Sequence, residues 1–516
     1  MTSPQTLHVR AGRREWLGLA VLMIPVLLIS IDNTVLGFAL PAISTGLHPT
    51  GTQLLWIVDI YALMLAGLLV AMGSIGDRFG RRLLLLIGAT GFGAASLVAA
   101  FSTTPEMLIL ARALLGVFGA TLMPSTLSLI RNIFLDPRDR RIAIATWAAL
   151  FGGGAALGPV VGGLLLEHFH WSSIFLINLP LIAIFIPAAL LLLPESRDPQ
   201  PGRIDPTSIV LSMLTLTPLV FAIKHGMSDG LDWMFAAAVV VAVVSGTLFV
   251  LRQLRSSNPM LDVRLFANAV FTSAVVANLL SLMGLAGFLY FGTQVLQLIL
   301  GLSPVTAALA LVPGLVMSIA AGYLAVPLVA RIRPRVVVPA ALALNAVGLA
   351  FVAFTPEPSV PGMIISFIVL GAGIGTAEVI TNDLILTAVP ANKAGAASAI
   401  SETAYEFGSV MGTAVLGGLT TMVFASQLRG ALGNAASAPE FETLGSALEH
   451  AGEIGGRVGD ELATTVIHAF DLGVQWAAGG AAIVVFAAAV LTAFGLKGAG
   501  KTSSSESSDR EPVPAH

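Results

Sequence analysis

Long apolar runs alternate with short polar links along the whole chain. A hydrocarbon layer takes about 20 helical residues to cross. Runs of about that length occupy 16–41, 52–73, 83–101, 106–130, 141–166, 172–193, 206–224, 232–251, 268–297, 304–330, 336–355, 361–386, 395–423 and 467–496. The pattern predicts helices 1 to 14 of an all-α polytopic membrane protein, because only helices satisfy their own backbone groups segment by segment in lipid. Predicted helices 7 and 8 are joined by the short link KHGMSDG. The first run is too long for a signal-peptide core, and no A-x-A site precedes Pro41, so it reads as a spanning helix.

The cationic residues test that count. With the N-terminus placed in the cytoplasm, only Lys224, Arg429 and Arg457 fall in external segments, and Arg112 lies within helix 4. The rest of the 26 Lys and Arg fall on the cytoplasmic side, which supports fourteen crossings with both termini inside. The divisions expected are a cytoplasmic N-terminus (1–15), a six-helix half (16–193), an inserted pair with flanking loops (194–266), a second six-helix half (267–496) and a disordered cytoplasmic tail (497–516). The second half includes a long external loop, 424–466, whose acids make it either a solvated loop with a short helix or a funnel for cations.

Composition agrees. Of 516 residues, 56% are hydrophobic and 11% charged, against about 25% charged in soluble domains. The absence of cysteine excludes disulfides and thiolate chemistry. No metal site and no nucleic-acid partner are expected. GLKGAGKT (495–502) fits the spacing of a phosphate-binding loop, but it starts at the end of helix 14 and runs into a Ser-rich tail. Such a loop must follow a buried strand, so no ATP or other cofactor is expected.

Acids inside the spans carry the candidate chemistry. Each costs about 2.5–3.5 kcal/mol at bilayer depth on insertion scales. Glu402 and Glu406 are four apart, on one face of helix 13. At 1.5 Å per residue, Asp32 and Asp59 lie roughly 10–14 Å below the outer surface, in helices 1 and 2. Glu378, in helix 12, shares a lower level with Glu402, and Glu406 is near the midplane. Clustered acids in low dielectric titrate together, and a site that holds a proton or a cation, but not both, is the basis of exchange. Each acid could instead sit neutral within helix packing. Trp56, Tyr61, Tyr290, Tyr405 and Phe407 are nearby aromatic faces that suit quaternary cations, or ordinary packing. Arg112 needs an acidic partner, in a structural pair or a proton relay.

Several motifs fall in register with these helices. GSIGDRFGRR (73–82), between helices 2 and 3, contains Gly73, Asp77, Arg78, Gly80 and Arg81. It resembles the signature G-x-L-x-D-R-x-G-R-R of the major facilitator superfamily. LARALLGVFGA (110–120) resembles that family's R-x-x-x-G segment in helix 4. GGGAALGPVVGG (152–163) holds Gly154, Gly158, Pro159, Gly162 and Gly163, at a spacing that lets two helices approach closely. It resembles the family's antiporter signature G-x-x-x-G-P-x-x-G-G. IDNTVLGFALP (31–41), WIVDIY (56–61), HWSSIFLINLP (170–180) and ISETAYEFG (400–408) are similar to segments of the fourteen-helix drug:proton antiporters of the QacA and SmvA type. LVARIRPR (328–335) is a degenerate second copy of the latch, with Ala330 in the place of the aspartate.

The resemblance implies a major facilitator fold: two six-helix halves plus two inserted central helices. It implies a proton-driven exporter, not an enzyme, in the bacterial inner membrane. The expected partners are lipophilic cations (quaternary ammonium compounds, dyes, biguanide-type antiseptics), protons and the lipid bilayer, with the protein acting as a monomer. The alternatives are export of one endogenous metabolite or lipid-like compound, or a receptor that kept the fold without turnover. The long chain of coupling acids is expected to be Asp32, Asp59, Glu378, Glu402 and Glu406, with Gly73–Arg81 as a conformational latch.

Overall fold

The computed structural model describes residues 11–197, 205–228, 230–256, 259–389 and 394–498. The first ten residues and 499–516, which hold nearly all of the expected tail and the second half of GLKGAGKT, are outside that set, as is Lys393. No strand occurs among the described residues.

Thirteen helices among the described residues are long and apolar enough to span a membrane. They are α1 (Arg13–Leu47), α2 (Gly51–Phe79), α3 (Arg81–Ala100), α4 (Pro105–Ile133), α6 (Ser173–Leu192), α7 (Pro206–Ser228), α8 (Trp233–Arg255), α9 (Ala269–Ile299), α10 (Pro304–Arg331), α11 (Pro334–Phe354), α12 (Val360–Thr387), α13 (Ala394–Leu432) and α14 (Gly456–Gly495). A further helix, α5 (Pro137–His168), takes the place of the fifth predicted span. Local signals set many starts. Thr50 forms a capping box with Gln53 on α2, while Thr104, Asp232, Asn268, Ser303 and Ser359 cap α4, α8, α9, α10 and α12.

Helices α1 to α6 pack on one another, as do α9 to α14, and the two groups meet where α2 lies on α13, α5 on α10 and α1 on α9. The α7–α8 pair rests on the outside, with α7 against α2 and α13. Most of the α8 surface is exposed and apolar, as in Val240, Val243 and Leu248, which suits a helix facing lipid. Asn178 crosses from α6 to Ser96 on α3, so the asparagine of the helix 6 motif closes a buried polar pair.

The predicted loop 424–466 is shorter than its polar pattern suggests: α13 continues to Leu432 and α14 begins at Gly456. Between them, helix Leu444–Ile454 buries Leu444, Ala447 and Ala451 and lies on the end of α1. Ser44 and Thr443 hydroxyls are 2.6 Å apart across that contact. Glu440, Glu449, Glu453, Asp460 and Glu461 are exposed, as expected of a solvated loop. We call this the loop end of the bundle, and the end bearing GSIGDRFGRR the basic end.

At the basic end, Gly80 sits at φ 121°, a conformation suited to glycine, and a side chain there would strike Glu195. Asp77 accepts from Arg81 at 2.9 and 2.6 Å. The start of α3 is capped instead by Glu195, which accepts from the amides of Arg82 and Leu83. Arg82 donates to the Leu193 carbonyl. The start of α3 is thereby tied to the segment after α6. Gly73 lies beside Pro124, and the exposed Arg78 lies beside Phe79.

The glycines of α5 face α1. A side chain at Gly154 would overlap Ser30, and one at Gly162 would meet Val35. Gly163 instead meets α10 at Val305, and Pro159 lines the central cavity. Gly158 is the tightest: an added Cβ overlaps the Thr34 hydroxyl and lies 3.2 Å from the Ile31 carbonyl. Gly158→Ala should lower the midpoint of thermal unfolding, with overpacking costing about 1–3 kcal/mol. Adding Thr34→Ala should recover part of the loss; no recovery would mean that this contact does not limit the packing.

Candidate functional site

The acidic partner that Arg112 requires is Asp32. Asp32 Oδ2 accepts from Arg112 Nη1 at 2.8 Å, and both residues are buried. Arg112 Nε donates to the Ile57 carbonyl at 3.2 Å, and its guanidinium centre lies 4.4 Å from the Tyr61 ring centroid. A buried cation is thus met by a carboxylate, a carbonyl and an aromatic face. Asp32 Oδ1 and the Tyr61 hydroxyl are buried with no hydrogen-bond partner among the described residues. Tyr61 lies within electrostatic reach of both Asp32 and Glu406, between the two groups of helices.

Asp59 has a partner that the hydropathy pattern put in an external link. Lys224 is helical, one turn inside the end of α7, and only 1% exposed. Its Nζ lies 2.9 Å from Asp59 Oδ2 and 4.1 Å from the Trp56 ring centroid. Arg112 is therefore not the sole buried base among the described residues. The misplacement has a simple cause: KHG ends the apolar run, although the helix continues to Ser228. Asp59 is also within reach of Thr413 and Tyr290. Thr413 belongs to Gly412–Gly417, a π-helical turn inside α13, a distortion common at functional sites.

The second-half acids differ. Glu402 is half-buried and within Coulombic reach of Glu378 on α12 and of Glu406 one turn on. Glu406 is 2% exposed. Tyr405 lies in the field of all three. No basic side chain pairs with any of them among the described residues. Beside them runs a polar chain absent from the sequence reading: Asn278 donates to Ser401 at 3.5 Å, and Ser401 donates to Asn382. Phe407, Trp56 and Ile223 all pack against a small apolar cluster that includes Val220 of α7.

Three spaces adjoin these groups. A central cavity of ≈ 90 Å³ is walled by Asn33, Asp59, Tyr61, Arg112, Tyr290 and Thr413. At the loop end, a vestibule of ≈ 450 Å³ reaches Lys224, Thr421 and Glu442. Toward the basic end, a cleft of ≈ 160 Å³ between α2, α4, α5 and α13 holds Glu402, Arg131, Trp147 and Pro124. The described residues thus bring together acids at several depths and aromatic faces, with a space at the centre, one toward the loop end and one toward the basic end.

Comparison with known proteins agrees with this architecture. The Major Facilitator Superfamily profile matches residues 22–413. The multidrug efflux pump LfrA of Mycolicibacterium smegmatis is 50% identical over 93% of this chain and 96% of its own. The methyl viologen resistance protein SmvA of Salmonella typhimurium is 35% identical over 89% of this chain and 93% of its own. Among solved structures, an inward-facing, unoccupied bacterial homologue of the human lysosomal transporter Spinster superposes with a TM-score of 0.67. That likeness, at 17% identity over 94% of this chain and 98% of the other, shows the fold alone. With a membrane-spanning helical bundle, a buried polar site and relatives that are efflux pumps, the chain is a transporter that belongs to the major facilitator superfamily.

Proposed function

We propose that the protein is a proton-coupled antiporter that exports lipophilic cations such as quaternary ammonium compounds, cationic dyes and biguanide-type antiseptics. It acts as a monomer in the bacterial inner membrane with both termini cytoplasmic. The observation that carries this reading is the contrast between the two sets of acids. Asp32 and Asp59 each have an internal base, whereas Glu378, Glu402 and Glu406 have none among the described residues. Carboxylates without a counter-ion in low dielectric favour either a proton or an incoming cation, and the two compete for the same oxygens. Tyr405 and Tyr290 offer faces to an organic cation.

The central cavity lies between helices of both groups, where alternating access puts a binding site. Proton entry supplies about 2.3 kcal/mol per charge at 100 mV, without ATP or other cofactor. SmvA is named for resistance to methyl viologen, a dication, which suits a site with more than one acid.

The test is drug susceptibility with and without the protein, paired with proteoliposomes. Cells that express the protein should tolerate more quaternary ammonium compound. Adding ethidium to proteoliposomes should release protons in exchange. Resistance without proton release would sink the antiport reading.

A further inference from the structure

We propose that Lys224 is a specificity-determining residue: a tethered cation that occupies a binding position for the exported cation, at Asp59 and Trp56. The proposal deepens the cation-export reading and rests on it. Its ground is the placement of one ion pair between two spaces. Asp59 lines the central cavity, Lys224 lines the vestibule at the loop end, and their charged atoms are 2.9 Å apart. The pair stands where a cation leaving the cavity toward the loop end would pass.

The surroundings of the Lys224 ammonium are a carboxylate on one side and the face of Trp56 on another, at 4.1 Å from the ring centroid. This is the set that would hold an organic cation. Lys224 comes from α7, outside the helices that line the rest of the cavity, and α7 packs on α2 and on the π-helical turn of α13. A movement of α2 against α13 would therefore change the distance between Asp59 and Lys224. With the lysine in place, Asp59 is neutralised and an exported cation finds no free carboxylate on the outward side, which favours release. With the lysine displaced, the same carboxylate is open to the substrate. A purely structural pair would instead tie α7 to α2 and have no effect on affinity beyond that of weakened packing.

Binding of tetraphenylphosphonium to the detergent-purified full chain separates these readings. Lys224→Met should bind it about tenfold more tightly than the wild type, because Asp59 and Trp56 are freed to take the ligand. Lys224→Gln, which can still donate to Asp59, should shift the same way and serves if the methionine variant does not purify. Asp59→Asn combined with Lys224→Met should lose the gain. A folded Lys224→Met that binds no more tightly than wild type would overturn the proposal, as would a gain that survives in the double variant. A wild type that binds no cation at all would overturn this proposal together with the export reading.

Discussion

Glu402→Gln is expected to lower proton-driven transport of a cationic dye about 100-fold, near the upper end of what a coupling free energy between sites delivers, with the amount of protein in the membrane unchanged. Glutamine keeps the shape and the hydrogen-bonding capacity but can neither release a proton nor carry charge. Glu402 is half-buried and reaches the cleft toward the basic end, whereas Glu406 is 2% exposed and deeper. Glu402 therefore has the path along which a proton can leave, and Glu406 the position nearer the cavity. Counterflow, in which labelled substrate exchanges for unlabelled, needs no net proton movement. It should survive in Glu402→Gln. Loss of counterflow together with proton-driven transport would show that Glu402 also contacts substrate, and the proton assignment would fall.

Arg112→Met should be the most damaging single change for stability. It leaves Asp32 as a buried carboxylate with neither oxygen partnered, since Oδ1 already has no hydrogen bond among the described residues. Removing one member of a buried ion pair costs about 3–5 kcal/mol, most of it from the stranded charge. The contact with Tyr61 and the bond to the Ile57 carbonyl are lost as well. Asp32→Asn combined with Arg112→Met removes both charges and should recover most of the loss in thermal midpoint, without restoring transport. Equal destabilisation in the single and the double variant would show that the charge pair is not what Arg112 contributes to folding.

The membrane class, the approximate spans and the need of Arg112 for an acid were all readable along the chain. Each depends on a local property. A helix in lipid satisfies its backbone within its own segment, so its length appears as an apolar run. The glycines of α5 were likewise visible by their spacing, although not their facing helix, which is α1 for three of them and α10 for Gly163. Glu195 escaped notice because it lies outside any recognisable motif and acts on amides over a hundred residues away in sequence.

The amino-acid order by itself thus determined that this chain crosses a membrane many times and places acids within it. Only the tertiary structure decided which charges face each other. Asp32 meets Arg112 and Asp59 meets Lys224 because α1 lies near α4 and α7 lies near α2. Glu402 and Glu406 are left with each other and with Glu378 for the same reason. Hydropathy is summed along one segment, whereas a buried charge is settled by its neighbours across the bundle. That is why a lysine read as the edge of a loop turns out to be the counter-ion of a candidate site.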